Sequence, residues 1–444
     1  MKLIKSISGI RGIYNQSLTK DFATYYAKSF SLIQPKGKIL LARDTRPHGK
    51  ILYDAIKDSL NNQGRAVLEC DIIPTPTAQF IIKKENLAGG IVITASHNPI
   101  EWNGMKFIDS NGCFLSAEKN DLLFNENLKF QSKKNIIKNE IRKNAFNNHI
   151  NHTLDLECIN INSIKKRNFK VVIDTVNGAG YKALPNILKK LGCEVIKINC
   201  KNETPFPRGT EPTPDNIKQL SDTVKNNNAD IGFATDPDAD RLAIVDNKGN
   251  PIGEELTLVL CLDTYLKYNN SSIVVTNLST TLSVDKICKK YNAKLIRTPV
   301  GEINVVQKMI DLNSKIGGEG NGGIILSESH LGRDSIVGVA LILNRLSESK
   351  DKLNNIVEEI PNFTMIKSKK VISKTIDYKI IKNYFSKNYN VISFNEDDGL
   401  KINLKDEWVH IRKSNTEPII RIIGESKDII STKHLISEVN KLAK

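Results

Sequence analysis

The chain has 444 residues, with 64 Lys and Arg against 49 Asp and Glu, which gives a formal net charge of +15. Its hydrophobic content of 40% and charged content of 25% are those of a globular protein and exclude a disordered or fibrous one. No apolar run approaches the roughly 18 residues that a membrane helix needs, and the segment after Met1 lacks the apolar stretch of a secretory signal. We therefore expect a cytoplasmic protein without membrane association.

The positive charge taken alone would suit a nucleic-acid-binding protein. Arg accounts for only 13 of the 64 basic residues, however, and aromatic residues make up only 6% of the chain. Because the sequence also lacks a nucleic-acid-binding motif or a dense Arg stripe, we expect no nucleic-acid partner. The seven cysteines are scattered without a CxxC pair, which favours reduced thiols over a disulfide frame or a zinc site.

Three stretches share the order strand, helix, turn, strand, which is typical of βαβ units and a mainly parallel sheet. Their predicted first strands are 38–44, 171–174 and 273–276, and their predicted second strands are 66–68, 194–198 and 294–296. Each copy continues to a third apolar strand that runs into a polar, Gly-rich or Asp-rich loop; these strands are 91–93, 231–233 and 315–317. Since ligands bind outside the carboxyl ends of parallel strands, we expect each copy to offer one loop to a shared cleft.

The tail differs from the three copies. From about Ile366 it predicts several strands, a helix over 377–388 and a final helix, which together indicate a small α+β domain with an antiparallel sheet. The segment 125–167 predicts helices that link the first two copies. The predicted fold is therefore α/β: three related α/β domains with mainly parallel mixed sheets and a smaller C-terminal α+β domain, around one central cleft. The predicted domain bounds are 1–150, 151–250, 251–365 and 366–444.

Residues 94–99, Thr-Ala-Ser-His-Asn-Pro, directly follow a predicted buried strand. A serine held in such a loop, here Ser96, is suited to be a nucleophile or a carrier of phosphate. The Gly-x-Ser-x-Gly elbow of a Ser–His–Asp hydrolase is absent. The alternative is a turn in which Ser96 and Asn98 satisfy backbone groups.

Asp236, Asp238 and Asp240 alternate in the second loop, so that three carboxylates face one side if the loop is extended. Three negative charges placed together are costly unless a cation is present, and oxygen ligands favour a hard divalent ion such as Mg²⁺. A calcium loop that began at Asp236 would need Gly and Glu where Arg241 and Asn247 stand, which excludes it. The alternative is a solvated acidic cluster. Arg241 is suited to a phosphate or to the charge of a transferring phosphoryl group.

Two further loops suit a sugar and a phosphate. Residues 318–323 are Gly-rich, and Glu319 with Asn321 would clamp vicinal sugar hydroxyls, although the glycines alone also fit a tight connection. Residues 412–418 with Arg421 combine two Arg, two hydroxyl side chains and exposed backbone N–H groups, which suits a phosphate dianion. A hydroxyl-rich turn between two strands is the alternative.

With these four loops in this order, the sequence resembles the α-D-phosphohexomutases over nearly its whole length. This family includes phosphoglucomutase, phosphomannomutase and phosphoglucosamine mutase. The loop 94–99 matches the family's phosphoserine loop, and residues 236–241 match its metal loop. The loops 318–323 and 412–421 match the sugar-specificity and phosphate-binding loops. The N-terminal segment around Arg11 and the segment 103–106, which ends in Lys106, match two further motifs of the family.

The resemblance implies that phosphorylated Ser96 donates its phosphoryl group to a hexose phosphate. The hexose 1,6-bisphosphate so formed, which serves as intermediate and activator, reorients and returns its other phosphate to Ser96. The implied metal ion is Mg²⁺, and its implied ligands are Asp236, Asp238, Asp240 and an oxygen on Ser96. Arg241 and Arg11 would add positive potential, and Lys106 or His97 would act as general acid/base. Lys106 as a simple charge neutraliser is the alternative.

The same resemblance implies which residues hold the substrate. They are Glu319, Asn321, Arg412, Ser414, Asn415, Thr416 and Arg421. In this chain Asn415 stands where Gly is usual, Glu319-Gly320-Asn321 replaces the Glu-x-Ser of many members, and Glu302 replaces a His. These departures bear on the sugar rather than on the reaction.

The function that we favour is phosphoglucosamine mutase, which converts glucosamine 6-phosphate to glucosamine 1-phosphate. The alternative is phosphomannomutase/phosphoglucomutase, and a more distant one is a Mg²⁺-dependent sugar phosphatase that uses the same serine. The expected partner is a small hexose phosphate, and we expect the protein to be a monomer or a homodimer.

Overall fold

The computed structural model describes residues 3–125, 129–130, 137–202, 205–270, 272–361, 363–371, 376–413 and 419–442. The chain divides into two compact units. One unit is Met1–Tyr265 with Asn321–Asn354, and the other is Leu266–Gly320 with Asn355–Lys444. Among the described residues, no helix combines the length and the apolar character that crossing a lipid bilayer requires.

A seven-stranded mixed sheet forms the first part of the chain. The elements here are β1 (Ile4–Ser6), β2 (Gly9–Ile13), α1 (Lys20–Ile33), β3 (Ile39–Arg43), α2 (Gly49–Asn62), β4 (Val67–Ile72), α3 (Thr75–Lys84), β5 (Gly89–Ile93), β6 (Trp102–Asp109), α4 (Ala117–Leu123) and β7 (Glu140–Ile141). The strand order is β1-β2-β6-β5-β3-β4-β7. Strand β3 is parallel to β4 and β5, whereas β6 is antiparallel to β5 and β2. Fully buried apolar residues of β3, β5 and the adjacent helices form its core.

The second sheet has four strands in the order β11-β10-β8-β9. The elements are α5 (Phe146–Leu154), α6 (Ile161–Arg167), β8 (Lys170–Asp174), α7 (Ala183–Lys190), β9 (Glu194–Ile198), α8 (Lys218–Asn226), β10 (Ile231–Thr235) and β11 (Leu242–Val245). Strand β8 is parallel to β9 and β10, and β11 is antiparallel to β10. Helices α5 and α6 confirm the predicted helical link over its second half, whereas β7 (Glu140–Ile141) is a strand within the predicted segment 125–167.

The third copy has the same central arrangement. The elements are α9 (Glu254–Tyr268), β12 (Ile273–Asn277), α10 (Ser283–Lys290), β13 (Lys294–Thr298), α11 (Glu302–Asp311), β14 (Ile316–Glu319), β15 (Gly323–Leu326), α12 (Ser335–Ser347) and α13 (Leu353–Glu359). Strand β12 is parallel to both β13 and β14. In all three copies, therefore, the first strand lies between the second and the third, and the predicted repeat is confirmed.

The C-terminal part is an antiparallel sheet in the order β16-β20-β19-β18-β17, with two helices. The elements are β16 (Thr364–Val371), α14 (Tyr378–Asn388), β17 (Ser393–Asn395), β18 (Leu400–Leu404), β19 (Glu407–Lys413), β20 (Ile419–Ser426) and α15 (Ile429–Leu442). Apolar side chains that alternate along β18, β19 and β20 pack with the helices into a separate core. The predicted α+β tail with an antiparallel sheet is confirmed.

Candidate active site

Ser96 lies just beyond β5 in an uncommon backbone conformation. The φ angle of Ser96 is +48°, and only 2% of the residue's surface is exposed to solvent. A left-handed conformation is unfavourable for a residue other than Gly, so surrounding contacts must hold it. The Ser96 N–H donates to Thr94 Oγ1 at 2.9 Å, and the Ser96 hydroxyl donates to Asp236 Oδ2 at 2.9 Å. The structure thus brings the predicted phosphate carrier against the predicted metal loop.

The three predicted metal-loop carboxylates, which we call the Asp triad (Asp236, Asp238 and Asp240), follow β10 and are buried. One oxygen from each can be chosen so that all three lie within 4.8 Å of one another. Burial and the negative charges of Asp240 and Asp238 raise the pKa of Asp236 well above its ordinary value. The loop therefore concentrates negative charge where water cannot screen it.

Two cations face the Asp triad. Lys106 Nζ lies 2.6 Å from Asp238 Oδ2 and 2.9 Å from Asp240 Oδ2, and Arg333 Nη2 lies 2.7 Å from Asp240 Oδ2. Burial alone would raise the pKa of Asp240, but Arg333 and Lys106 together hold it below its ordinary value. Lys106 was predicted from the sequence; Arg333 was not. Thr75, the first residue of α3, was missed as well, and its hydroxyl donates to Asp238 Oδ2 at 2.7 Å.

The donor set of the Asp triad fits a hard divalent cation. The Oδ1 atoms of Asp238 and Asp240 are buried and accept no hydrogen bond from the described residues. Buried carboxylate oxygens without a donor are costly unless a cation binds them. Because all the groups concerned are oxygen ligands, Mg²⁺ fits better than a softer metal.

Arg11 and Arg241, two further predicted basic residues, also lie at these loops. Arg11 Nη1 donates to Asn98 Oδ1 at 3.2 Å, and the Arg241 N–H donates to Asp236 Oδ1 at 3.2 Å. The Arg241 guanidinium forms an ion pair with Glu211, at 2.7 Å between Nη1 and Oε1. That acidic partner was not predicted, since it lies 30 residues away in the chain.

His97 is adjacent to the serine hydroxyl. Its Nδ1 lies 3.4 Å from Ser96 Oγ. Burial lowers the pKa of His97 to about 2, and the positive charges of Arg241 and Arg11 contribute to the shift. The ring is therefore neutral at physiological pH. Both predicted acid/base candidates, His97 and Lys106, thus contact groups of the serine and metal loops.

The predicted sugar-specificity loop begins within β14, whose last residue is Glu319. Glu319 is 3% exposed, and its Oε1 accepts from Asn277 Nδ2 at 2.9 Å and from the Gly301 N–H at 3.1 Å. These donors fix the orientation of the carboxylate. Asn277 was not predicted. Asn321 lies two residues further along, in the turn before β15.

The predicted phosphate-binding residues Arg412 and Arg421 lie directly opposite each other on β19 and β20. Lys369 of β16 is in turn the cross-strand partner of Arg421, which makes a row of three cations on one face of the sheet. Asp398 Oδ2 lies 3.4 Å from Arg412 Nε and offsets one of these charges. Like charges placed opposite each other are destabilising, so the rest of the cationic row is suited to a further anion. Lys369 was missed because strand register is not visible in the sequence. Ser414, Asn415 and Thr416 lie outside the described residues.

A second buried cluster contains His149, His330 and Asp334. Both imidazole Nε2 atoms lie within hydrogen-bond distance of Asp334 Oδ2, at 2.9 Å for His149 and 3.2 Å for His330. The Oδ1 atom of Asp334 accepts the N–H groups of Ile336 and Val337, the second and third residues of α12. These contacts make the cluster a hydrogen-bond network at the start of that helix, directly after Arg333.

Comparison with known proteins places this site in context. Three family models match in succession: Phosphoglucomutase/phosphomannomutase, alpha/beta/alpha domain I over residues 2–132, domain II over 145–249 and domain III over 253–363. The Phosphoglucomutase/phosphomannomutase of Thermococcus kodakarensis is 37% identical over 436 residues, which cover 94% of this chain and 93% of the relative. The Phosphoglucosamine/phosphogalactosamine mutase of Sulfurisphaera tokodaii is 33% identical, covering 98% and 97%.

Among solved structures, a phosphoglucomutase/phosphomannomutase family protein from Burkholderia thailandensis superposes with a TM-score of 0.84 at 21% sequence identity. The match covers 99% of this chain and 97% of that chain. At that identity, the likeness concerns the fold.

Proposed function

Because the chain belongs to the α-D-phosphohexomutase family, we propose that it moves phosphate between two oxygens of a hexose phosphate. The two oxygens are O6 and O1, and phosphorylated Ser96 carries the phosphate between them. The observation that carries this proposal is the contact between the Ser96 hydroxyl and Asp236 of the Asp triad. A serine buried against three carboxylates is suited to carry a phosphoryl group only if cations balance the charge, and Lys106 and Arg333 are in place to do so.

Each half-reaction exchanges one O–P bond for another. The bond between Ser96 Oγ and phosphorus breaks, a bond from a sugar hydroxyl to phosphorus forms, and the hydroxyl proton passes to a base. The return transfer from the hexose 1,6-bisphosphate regenerates phosphoserine. The Asp triad and an oxygen on Ser96 would hold Mg²⁺, which when bound supplies neutralising charge to the transferring phosphoryl group. Arg241 and Arg11 add positive potential at the same loops.

Two residues are candidates for the proton transfer, and both lie at the site. His97 is neutral and has its Nδ1 atom 3.4 Å from Ser96 Oγ. Lys106 is held by two carboxylates, which suits a donor of a proton or a fixed positive charge. The kcat values and pH profiles of His97→Gln and Lys106→Ala would separate the two roles. Lys106 is the acid/base residue if Lys106→Ala removes a limb of the profile. His97 is the acid/base residue if His97→Gln lowers kcat while Lys106→Ala keeps the shape of the profile, because a pKa of about 2 places the limb of His97 outside the assayed range.

The phosphate that is not reacting is proposed to bind at the row of Arg412, Arg421 and Lys369. Arg is suited to bidentate contacts with a phosphate, and the cross-strand register holds the three cations side by side. A fixed anchor for either phosphate lets the two orientations of the sugar use one serine. Ser414, Asn415 and Thr416 are proposed to complete this anchor.

For the sugar, we favour glucosamine 6-phosphate as substrate. Support comes from the buried carboxylate of Glu319, whose fixed orientation suits the ammonium group and the hydroxyls of an amino sugar. Asn321 is proposed as its partner in the clamp. The relative that acts on glucosamine and galactosamine phosphates supports the same choice. The second candidate is phosphomannomutase/phosphoglucomutase, which the 37% identical relative favours.

The reaction is tested with Ser96→Ala and, as a matched control, Ser29→Ala, which removes a buried serine hydroxyl that bonds only to the Tyr25 carbonyl among the described residues. We expect Ser96→Ala to lose nearly all mutase activity while it still folds, and Ser29→Ala to keep it. Wild-type activity in Ser96→Ala would contradict the assignment.

Two further measurements separate the alternatives. The values of kcat/KM for glucosamine 6-phosphate, mannose 1-phosphate and glucose 1-phosphate rank the substrates. Release of inorganic phosphate at the rate of isomerisation would instead show a sugar phosphatase. The four domain bounds, the cytoplasmic location and a monomeric or homodimeric state also belong to the proposal, and limited proteolysis and light scattering test the first and the last.

A further inference from the structure

The Ser96 loop is built around a buried pair of opposite charges. Asp44 directly follows β3, and neither its side chain nor that of Arg46 is exposed. Asp44 Oδ1 accepts the Arg46 N–H at 3.0 Å, and Asp44 Oδ2 accepts Arg46 Nε at 3.0 Å and the Thr94 hydroxyl at 2.7 Å. Thr94 in turn accepts the Ser96 N–H. A continuous chain of hydrogen bonds therefore runs from Asp44 to the backbone of the serine.

The guanidinium of Arg46 ends inside the serine loop. It donates to four main-chain carbonyls: those of Ser96 (2.6 Å), Asn98 (2.7 Å), Pro99 (2.5 Å) and Trp102 (3.0 Å). Carbonyls that converge on one point repel each other and lose their water, so the loop keeps this shape only while a cation with several donors occupies its centre. Lys has one nitrogen and cannot reproduce the planar fork of Arg.

The second copy of the repeat carries the same arrangement at the metal loop. Asp174, the last residue of β8, accepts the Val176 N–H at 2.8 Å through Oδ1 and Arg208 Nε at 2.8 Å through Oδ2. Arg208 Nη2 then donates to the carbonyl of Thr235, the residue that directly precedes the Asp triad, at 2.8 Å. Val176 has φ +50°, a conformation that a β-branched residue adopts only when its surroundings hold it.

The third copy uses an amide at the equivalent position. Asn277 ends β12, accepts the Ser279 N–H at 2.8 Å through Oδ1, and donates through Nδ2 to Glu319 of the sugar loop. An Asp or Asn thus ends the first strand, or directly follows it, in all three copies. One side-chain atom closes a turn with the N–H two residues on. The other contacts the loop after the third strand, directly in the first and third copies and through Arg208 in the second.

We propose that Arg46 and Arg208 are positioning residues, each for one loop: Arg46 sets the shape of the serine loop for phosphoryl transfer, and Arg208 sets the shape of the metal loop for cation binding. The roles of Arg46 in phosphoryl transfer and of Arg208 in cation binding rest on the proposed function. Their structural role in holding the two loops does not depend on it. Neither arginine touches the phosphoryl group; both act through the carbonyls that they bind.

The test uses Arg46→Lys and Arg208→Lys, which keep the positive charge and remove the fork. The matched control is Arg65→Lys, because Arg65 also donates to backbone carbonyls, among them that of Gln34 at 2.7 Å, in a turn outside both loops. The first readout is amide hydrogen exchange. We expect at least tenfold faster exchange over 94–102 alone in Arg46→Lys, over 235–241 alone in Arg208→Lys, and over neither segment in Arg65→Lys.

Two functional readouts follow. The rate of Ser96 phosphorylation by glucose 1,6-bisphosphate, measured by mass spectrometry, is expected to fall at least tenfold in Arg46→Lys. The dissociation constant for Mn²⁺, measured by electron paramagnetic resonance, is expected to rise at least fivefold in Arg208→Lys. The Mn²⁺ affinity of Arg46→Lys is expected to stay within twofold of the wild type, which a general loss of structure would not allow.

Several outcomes would overturn the proposal: unchanged exchange in both loops, equal changes in both loops for either variant, or wild-type phosphorylation and Mn²⁺ affinity in the respective variants. If a Lys variant does not fold, Arg46→Gln or Arg208→Gln replaces it, since the amide retains one planar donor group. A wild-type protein that is never phosphorylated, together with the expected exchange pattern, would contradict the proposed function and leave the support of the loops standing.

Discussion

We predict that His410 makes the stability of the C-terminal sheet depend on pH. This histidine of β19 is fully buried; its Nδ1 lies 2.8 Å from Ser279 Oγ, and its Nε2 lies 2.7 Å from the Asp398 carbonyl. A neutral ring satisfies both contacts, since Nδ1 accepts and Nε2–H donates. Burial lowers the pKa of His410 to about 4, with help from the charges of Lys401 and Arg412 and against the effect of Asp398.

The lowered pKa of His410 determines the direction and the size of the change in stability with pH. An unfolded chain binds a proton at His410 once the pH falls below about 6.5, whereas the folded chain does not bind one until about pH 4. The contribution of His410 to stability is therefore complete above pH 6.5 and is lost as the pH falls from 6.5 to 4. The difference between these two pKa values corresponds to about 3 kcal/mol of unfolding free energy. About 2 kcal/mol of it is lost between pH 7 and pH 5.

Urea unfolding followed by tryptophan fluorescence measures this effect. The chain has two tryptophans, so a Trp102→Phe background leaves Trp408, which is buried two residues from His410 on the same strand. Between pH 7 and pH 5, the parent is expected to lose about 2 kcal/mol more than His410→Gln. His434→Gln, which removes an exposed histidine of α15, is the control and should behave as the parent does. The same pH dependence in His410→Gln and in the parent would refute the reasoning.

Three further predictions concern the metal loop and the row of cations. In Gly178→Ala, the new Cβ would lie 2.5 Å from the Pro237 carbonyl, so we expect a loss of roughly 1–3 kcal/mol in urea unfolding and weaker Mn²⁺ binding; an unchanged Mn²⁺ affinity would contradict this. Lys106→Met removes a cation from the Asp triad, so Mn²⁺ should bind roughly tenfold more tightly in titrations while kcat falls by about 10²–10⁴; weaker binding would count against it. Lys369→Ala should raise KM by up to about fivefold at constant kcat in steady-state assays. The control Lys367→Ala, on the same strand but opposite an apolar residue, should leave both constants unchanged. Equal effects of the two substitutions would contradict a role of the row of cations in substrate binding.

The sequence predicted those features that are local in the chain. Apolar runs of four or five residues marked the central strands, and the alternation of the Asp triad was visible because its members are neighbours. The sequence could not predict the side chains that tertiary structure brings to these loops from distant parts of the chain. Arg333 lies 93 residues from Asp240, and Thr75 lies 163 residues from Asp238, with no pattern that connects them. Lys369 lies beside Arg421 only through strand register, which the sequence does not reveal.

The turns that end β3, β8 and β12 have a consequence for how such a chain can change. In each copy, a side chain at or directly after the end of the central strand supports the loop after the third strand, directly or through Arg208, while that loop carries Ser96, the Asp triad or Glu319. Duplicating a domain of this kind copies the support and leaves the loop sequence free to diverge. The residues that position a loop can thus stay the same while the residues that carry its chemistry change. A loop can then bind a new ligand without a change in the strands that support it.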